Sequence, residues 1–122
     1  MTAACRTGEH DKHDVYAVLC PCRDVFEVLT NKWSALTIGA LADGPQRYTA
    51  LQTRLQGVSP KVLSATVRRL EAYGFLTRTV YPAVPSHVVY ELTDLGHSVC
   101  APLAALSDWV EEHVDRIRAA AK

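Results

Sequence analysis

Four consecutive residues, Gly57-Val58-Ser59-Pro60, end one helix and begin another, and this punctuation constrains the chain more than any other feature. Glycine tolerates the left-handed backbone that closes a helix. Serine accepts a hydrogen bond from an unpaired N–H of the next helix, and proline fits its first position because no N–H is needed there. Upstream, Tyr48 opens a segment in which Leu51 and Leu55 share a helical face. Downstream, Leu63, Val67 and Leu70 mark one buried face, and Tyr73-Gly74 supplies a stop. Two short helices joined by Gln56-Gly57-Val58-Ser59 make a helix-turn-helix.

The residues that follow change period. Phe75 to Tyr81 and His87 to Leu92 are rich in β-branched and aromatic residues. Between them, Pro82-Ala83-Val84-Pro85-Ser86 carries two prolines, which rule out a continuous strand and predict a hairpin with a stiff loop. Helix-turn-helix followed by a hairpin is the order of a winged helix: α+β, mostly α, with a two-stranded wing. Pro21 predicts the start of a short helix containing Val25, Phe26, Val28 and Leu29, interrupted at Thr30-Asn31. Trp33, Leu36, Thr37, Ala40 and Leu41 follow at helical spacing as far as the breaker Asp43-Gly44-Pro45. Thr93-Asp94 caps a last helical region, in which Val99, Leu103, Leu106, Trp109, Val110, His113, Val114 and Ile117 form one stripe. Pro102 should kink or split it.

The expected organisation is a flexible polar arm over 1–14 and a single winged-helix DNA-binding and dimerisation domain over 15–122. Its helix-turn-helix spans about 48–73 and its wing about 75–92. A chain of 122 residues with 48% hydrophobic content can build one core of this size without disulfide or metal. The N-terminus, MTAACRTGEHDKHD, lacks the apolar run of a signal peptide, and no stretch is long and apolar enough for a membrane span. A cytoplasmic location is expected.

Charge identifies the face that matters. Lysines plus arginines equal aspartates plus glutamates at 13 each, which taken whole disfavours a nucleic-acid partner. The distribution reverses that inference. Residues 45–90 hold Arg47, Arg54, Lys61, Arg68, Arg69 and Arg78 against Glu71 alone, whereas both flanks are acidic. In the second helix, Pro60, Lys61, Ser64, Ala65 and Arg68 point away from the apolar face, with Arg69 at its edge. Short side chains, hydrogen-bonding groups and cations are what a helix in the major groove requires. Ser59 and Pro60 set that helix's start, while Arg69, Arg78, Arg47 and the loop ending at His87 are placed to meet backbone or minor groove. No glycine-rich phosphate loop, nucleophile elbow or carboxylate pair points to an enzyme, and no cofactor is expected. A winged helix that binds only protein is the remaining non-enzymatic rival.

These elements together resemble the HxlR-type branch of the MarR-like winged-helix transcription regulators. The resemblance rests on Cys20-Pro21, Asn31-Lys32-Trp33, Gly57-Val58-Ser59-Pro60-Lys61-Val62-Leu63 and Arg69-Leu70-Glu71-Ala72-Tyr73-Gly74-Phe75-Leu76. It continues through Arg78-Thr79-Val80-Tyr81-Pro82-Ala83-Val84-Pro85 and Val89-Tyr90-Glu91-Leu92-Thr93-Asp94-Leu95-Gly96 to Trp109. It implies a homodimer on a palindromic DNA operator, with repression expected over activation. The terminal helices would form the dimer interface, through Phe26, Leu103, Leu106, Trp109, Val110 and Ile117. The long amphipathic stripe agrees, because it exceeds what one small core needs.

The resemblance also implies oxidant sensing, since Cys20 sits where many such regulators carry a sensing cysteine. The physical case stands beside it. A sulfur preceding Pro21 at a helix start lies near unpaired N–H groups and the positive end of the helix dipole, which favour the reactive thiolate. Cys22 departs from the family pattern, and a Cys-x-Cys pair is too close for an unstrained disulfide in helical geometry. A partner for Cys20 would come from Cys5, Cys100 or the other subunit. Cys5, His10, His13, Cys20 and Cys22 are all ligand-type residues, but their spacing matches no recognised zinc motif, and no metal site is assigned. A regulator that answers a small molecule or a metal ion, with inert cysteines, is the alternative.

Overall fold

The computed structural model describes residues 13–121. The elements are α1 (Pro21–Leu29), α2 (Lys32–Leu41), β1 (Gln46–Arg47), α3 (Tyr48–Arg54), α4 (Pro60–Ala72), β2 (Leu76–Tyr81), β3 (His87–Leu92), α5 (Asp94–Ser98) and α6 (Cys100–Ala120). Of the expected arm, residues 1–12 lie outside the described residues, and with them Cys5 and His10.

Local chemistry sets the helix limits. Asn31 Oδ1 accepts from the N–H groups of Trp33 and Ser34 at the start of α2. Ser59 Oγ accepts from Val62 N at 3.1 Å at the start of α4, with Pro60 in its first turn. At the other end of α4, Phe75 N donates to Leu70 O and Gly74 N to Glu71 O. This pairing leaves Gly74 at φ +84, where a β-carbon would be strained. The chain therefore turns sharply from α4 into the wing.

The sheet has the order β1-β3-β2, all antiparallel, with Leu76 opposite Leu92 and Tyr81 opposite His87. The wing matches the expected hairpin, and β1 is added to it through Gln46 and Arg47, which pair with Tyr90 and Val89. A two-residue strand carries no period, and its pairing is set by residues more than forty positions away.

Leu51, Leu63, Leu70 and Leu76 are fully buried with Ile38 and Leu41 of α2, which packs against α1, α3, α4, α6 and β3. The buried face of α2 is Ser34, Thr37, Ile38 and Leu41, and Leu36 is exposed, contrary to the stripe expected from spacing. α2 is apolar on nearly every side, so periodicity alone cannot orient it. The last helical region breaks at Val99, three residues before Pro102. Pro102 consequently falls in the first turn of α6, where its missing N–H breaks no helical bond. Ahead of α1, residues 14–20 form two successive turns closed by Ala17 N to Asp14 O and Cys20 N to Ala17 O, both 3.0 Å. No helix among the described residues is long and apolar enough to cross a membrane.

The base of the wing is locked to α5 at a backbone crossing. Thr93 Oγ1 donates to Gly74 O at 2.6 Å and accepts from Gly96 N at 3.1 Å, while Thr93 N donates to Phe75 O. A β-carbon on Gly96 would overlap the Phe75 carbonyl. Glycine-to-alanine in a helix ordinarily stabilises; here Gly96→Ala is expected to destabilise by about 1–3 kcal/mol through overpacking against backbone. Urea unfolding of the two proteins measures it, and an unchanged or raised midpoint would contradict the crossing.

Candidate nucleic-acid interface and thiol cluster

α3 and α4 are held at a fixed angle by one side chain. Tyr48 Oη donates to Pro60 O at 3.1 Å and lies 3.1 Å from Ser64 Oγ, and its ring tilts against Tyr90 of β3 with centroids 6.4 Å apart. The outward face of α4 is thereby fixed relative to the wing. Ser59, Pro60, Lys61, Ala65, Arg68 and Arg69 are all exposed, as expected of that face. Ser64 is half-buried, and its hydroxyl is engaged by Tyr48. Arg47 is exposed at the junction of β1 and α3, and Arg78 is exposed on β2 opposite Tyr90. His87 is half-buried at the wing tip, stacked on Tyr81 at 5.1 Å.

Arg68 and Arg78 line one cleft between α4 and the wing together with Ser64, Val67, Glu71 and Tyr90. Sequence reasoning did not place three residues on this surface, although it counted Glu71 as the lone acid of the basic segment. Val62 is an exposed apolar side chain on the outward face, Glu71 sets a carboxylate among the cations, and Tyr48 holds Ser64. The spacing of Tyr48 and Ser64 carries no sign that they meet, because they lie on different helices.

The cysteines divide into two environments. Cys20 occupies the N-cap position of α1 without a side-chain cap hydrogen bond and is buried, and its sulfur accepts from Asp14 N at 3.4 Å. Cys22 Sγ lies 2.7 Å from it and His13 Nδ1 3.5 Å from it. The two turns before α1 bring His13 back onto the helix start, and Arg23 Nη1 ties them down by donating to Tyr16 O. Cys100, by contrast, opens α6, donates its S–H to Gly96 O at 3.5 Å and packs against the core. Burial pushes the Cys100 thiol up, so its reactive thiolate is scarcer at neutral pH than in an open cysteine.

α6 buries none of its residues fully. Leu106, Trp109, Val110 and Ile117 are 44–60% exposed, Phe26 of α1 is 54% exposed, and Leu103 alone of the expected interface packs against the protomer's own core. Trp109 stacks on His113 at 4.3 Å, which leaves the outer face of the pair open.

Comparison with known proteins agrees with this architecture. The HxlR-like helix-turn-helix family matches residues 28–118. The HTH-type transcriptional regulator YtfH of Escherichia coli K12 is 41% identical over 106 residues, which is 87% of this chain and 84% of that protein. The solved structure of the transcriptional regulator ytfH from Salmonella typhimurium superposes with a TM-score of 0.84 at 41% identity, covering 88% of this chain and 96% of that one. The redox regulator HypR in its oxidized form gives a TM-score of 0.70 at 28% identity, covering 76% and 96%. With a capped helix α4, a basic outward face and a wing locked beside it, the chain belongs to the HxlR-like helix-turn-helix family and is a DNA-binding transcriptional regulator.

Proposed function

We propose that this regulator acts as a homodimer on a palindromic operator, represses from it, and releases or remodels it when Cys20 is oxidised. The observation that carries the redox reading is the setting of Cys20: a buried sulfur at the N-cap position of α1, with the Asp14 N–H directed at it and a second sulfur 2.7 Å away. Donors and a helix N-terminus stabilise the thiolate, the form that attacks an oxidant. A peroxide removes two electrons from Cys20 and a second thiol, a disulfide forms as the O–O bond breaks, and the two thiol protons pass to the oxygens, giving two waters from hydrogen peroxide or one alcohol and one water from an alkyl hydroperoxide. Similarity to HypR, named as a redox regulator, supports the same reading. Cys100 is the weaker candidate for the attacking thiol, because its S–H donates to Gly96 O, a contact that favours the thiol, whereas Cys20 accepts from Asp14 N, a contact that favours the thiolate.

In the proposed DNA complex, Lys61, Ser64, Ala65 and Arg68 of α4 face the major groove, and Ser59 and Pro60 hold the helix start. Arg69, Arg78, Arg47 and His87 meet the backbone or minor groove. Two-fold symmetry would place the two α4 helices about 34–36 Å apart, one turn of DNA. A second reading, a small-molecule effector, draws on the apolar groove lined by Val25, Leu29, Tyr73, Phe75, Leu95 and Val99 between α1 and the α5–α6 junction. Thiol blocking separates the two, since it abolishes the response of a redox sensor and spares a ligand sensor.

An operator duplex selected from random DNA by the protein itself allows three measurements. Oxidant should release the wild-type protein but not Cys20→Ser, with reduced-state affinity retained; a full oxidant response in Cys20→Ser would end the redox reading. Arg68→Ala should weaken binding and flatten the dependence of log K on log salt by about 0.9 units for every phosphate that Arg68 neutralises. Unchanged affinity and slope would remove Arg68 from the interface. In sedimentation at micromolar concentration the wild type should be dimeric, and Val110→Asp, which sets a charge in the apolar stripe, should be monomeric with its helical circular dichroism retained. A monomeric wild type would refute the dimer.

A further inference from the structure

We propose that His13, Cys20 and Cys22 form a binding site for a thiophilic d10 cation, Zn2+ or Cu+, and this inference stands independently of the redox reading. One ligand atom from each residue lies within 4.8 Å of the other two. Three features make this a site and not a chance grouping. His13 precedes the two turns of residues 14–20, whereas Cys20 ends them and Cys22 lies in the first turn of α1, and the turns are held against α1 by Arg23 Nη1 on Tyr16 O. The distance from His13 Nδ1 to Cys20 Sγ is 3.5 Å. An imidazole nitrogen at about 2.0 Å and a thiolate at about 2.3 Å from one tetrahedral metal stand about 3.5 Å apart. The third feature is an outer partner: Asp14 N donates to Cys20 Sγ at 3.4 Å, the kind of N–H support that orients a metal thiolate.

The pair Cys20 and Cys22 must open from 2.7 Å to admit an ion, since two thiolates on a tetrahedral metal lie about 3.8 Å apart. Cys22 is only half-buried and can make that change by turning its side chain, while Cys20 stays fixed in the core. Val15, Pro21, Val25 and Phe26 surround the Cys22 side of the site with apolar surface, and His13 is its exposed edge. Two sulfurs and one imidazole exclude the hard cations Mg2+ and Ca2+ and select a soft or borderline one. On binding, two thiol protons pass to solvent and the two thiolates and the neutral imidazole each donate an electron pair to the metal, with no change of oxidation state. Cu+ is satisfied by three such donors, whereas Zn2+ requires a fourth ligand.

The test uses the full chain, reduced and stripped of metal by a chelator. Titration with Co2+ as the spectroscopic stand-in for Zn2+ should develop a thiolate-to-cobalt charge-transfer absorption that saturates at one ion per protomer and is displaced by Zn2+. In a parallel anaerobic arm, Cu+ should be withdrawn from the indicator bicinchoninate at the same stoichiometry. Success in either arm supports the site and identifies its ion. Cys22→Ser and His13→Ala should each weaken binding by more than the ~10–100-fold that loss of an outer-shell partner costs, and Cys100→Ser should bind as the wild type. His13 is exposed, so its variant keeps the test valid if Cys22→Ser misfolds by circular dichroism. Absence of the charge-transfer band together with failure to take Cu+ would overturn the proposal, as would affinity unchanged in both variants. No DNA enters these measurements, so they fail or succeed apart from the operator assays.

Discussion

Tyr48 of α3 contacts both α4 and β3, and the placement of the basic face depends on it. Its hydroxyl is bonded at the first turn of α4, and its ring lies against Tyr90 in the middle of the wing. Without this contact α3 and α4 would be joined only by their turn and by core leucines, which resist separation but tolerate small rotations. A hydrogen bond from a ring already wedged against the sheet removes that freedom. Thr93 and Gly96 perform the matching task at the far end of α4, where the close backbone approach fixes how the wing leaves the helix. Helix α4 is thus pinned at both ends to the hairpin beside it, so that cations on the two elements can act as one surface.

That pinning gives the charge distribution its meaning. A neutral chain has no long-range pull on DNA, but a basic segment within it has a local one when its cations lie on one side. Arg68 and Arg78 share the cleft between α4 and β2, and Lys61, Arg69 and Arg47 are exposed around it. The acidic residues are concentrated in the flanking segments, including α6. In a dimer joined through α6 this arrangement would repel the back of the protein from phosphates and leave one orientation favourable. Glu71 is the exception, a carboxylate inside the basic cleft that would disfavour a phosphate too deep between helix and wing.

What was legible in the sequence was written in local chemistry. Ser59-Pro60 and Tyr73-Gly74 set the limits of α4 because capping involves only neighbours in the chain, and the prolines at 82 and 85 bounded the hairpin for the same reason. What was not legible depends on distant partners. The strand β1 exists because β3 offers it an edge, and α2 has its particular buried face because α4 and β3 lie there, not because its sequence has a clear apolar side. Pro102 shows a subtler failure. Its rule was right, but the chain satisfied it by moving the break to Val99 so that the proline became a helix starter. The ligand-type residues near the N-terminus were visible as a list, yet their convergence came from two turns whose bonds run between backbone atoms.

The two proposals for Cys20 act on the same electron pairs, and this makes them linked rather than alternative. A thiolate that donates to a metal is shielded from an oxidant, and a sulfur held in a disulfide cannot bind the metal. Any ion bound only by the reduced state therefore stabilises that state: at a free concentration a hundred times its Kd the effect would be about 2.7 kcal/mol. The regulator would then answer oxidant at a threshold set by metal supply. Cys22, 2.7 Å from Cys20, is the residue that makes such coupling available to this chain. A lone capping cysteine can be oxidised, but it takes a second sulfur and an imidazole to hold the ion that would guard it.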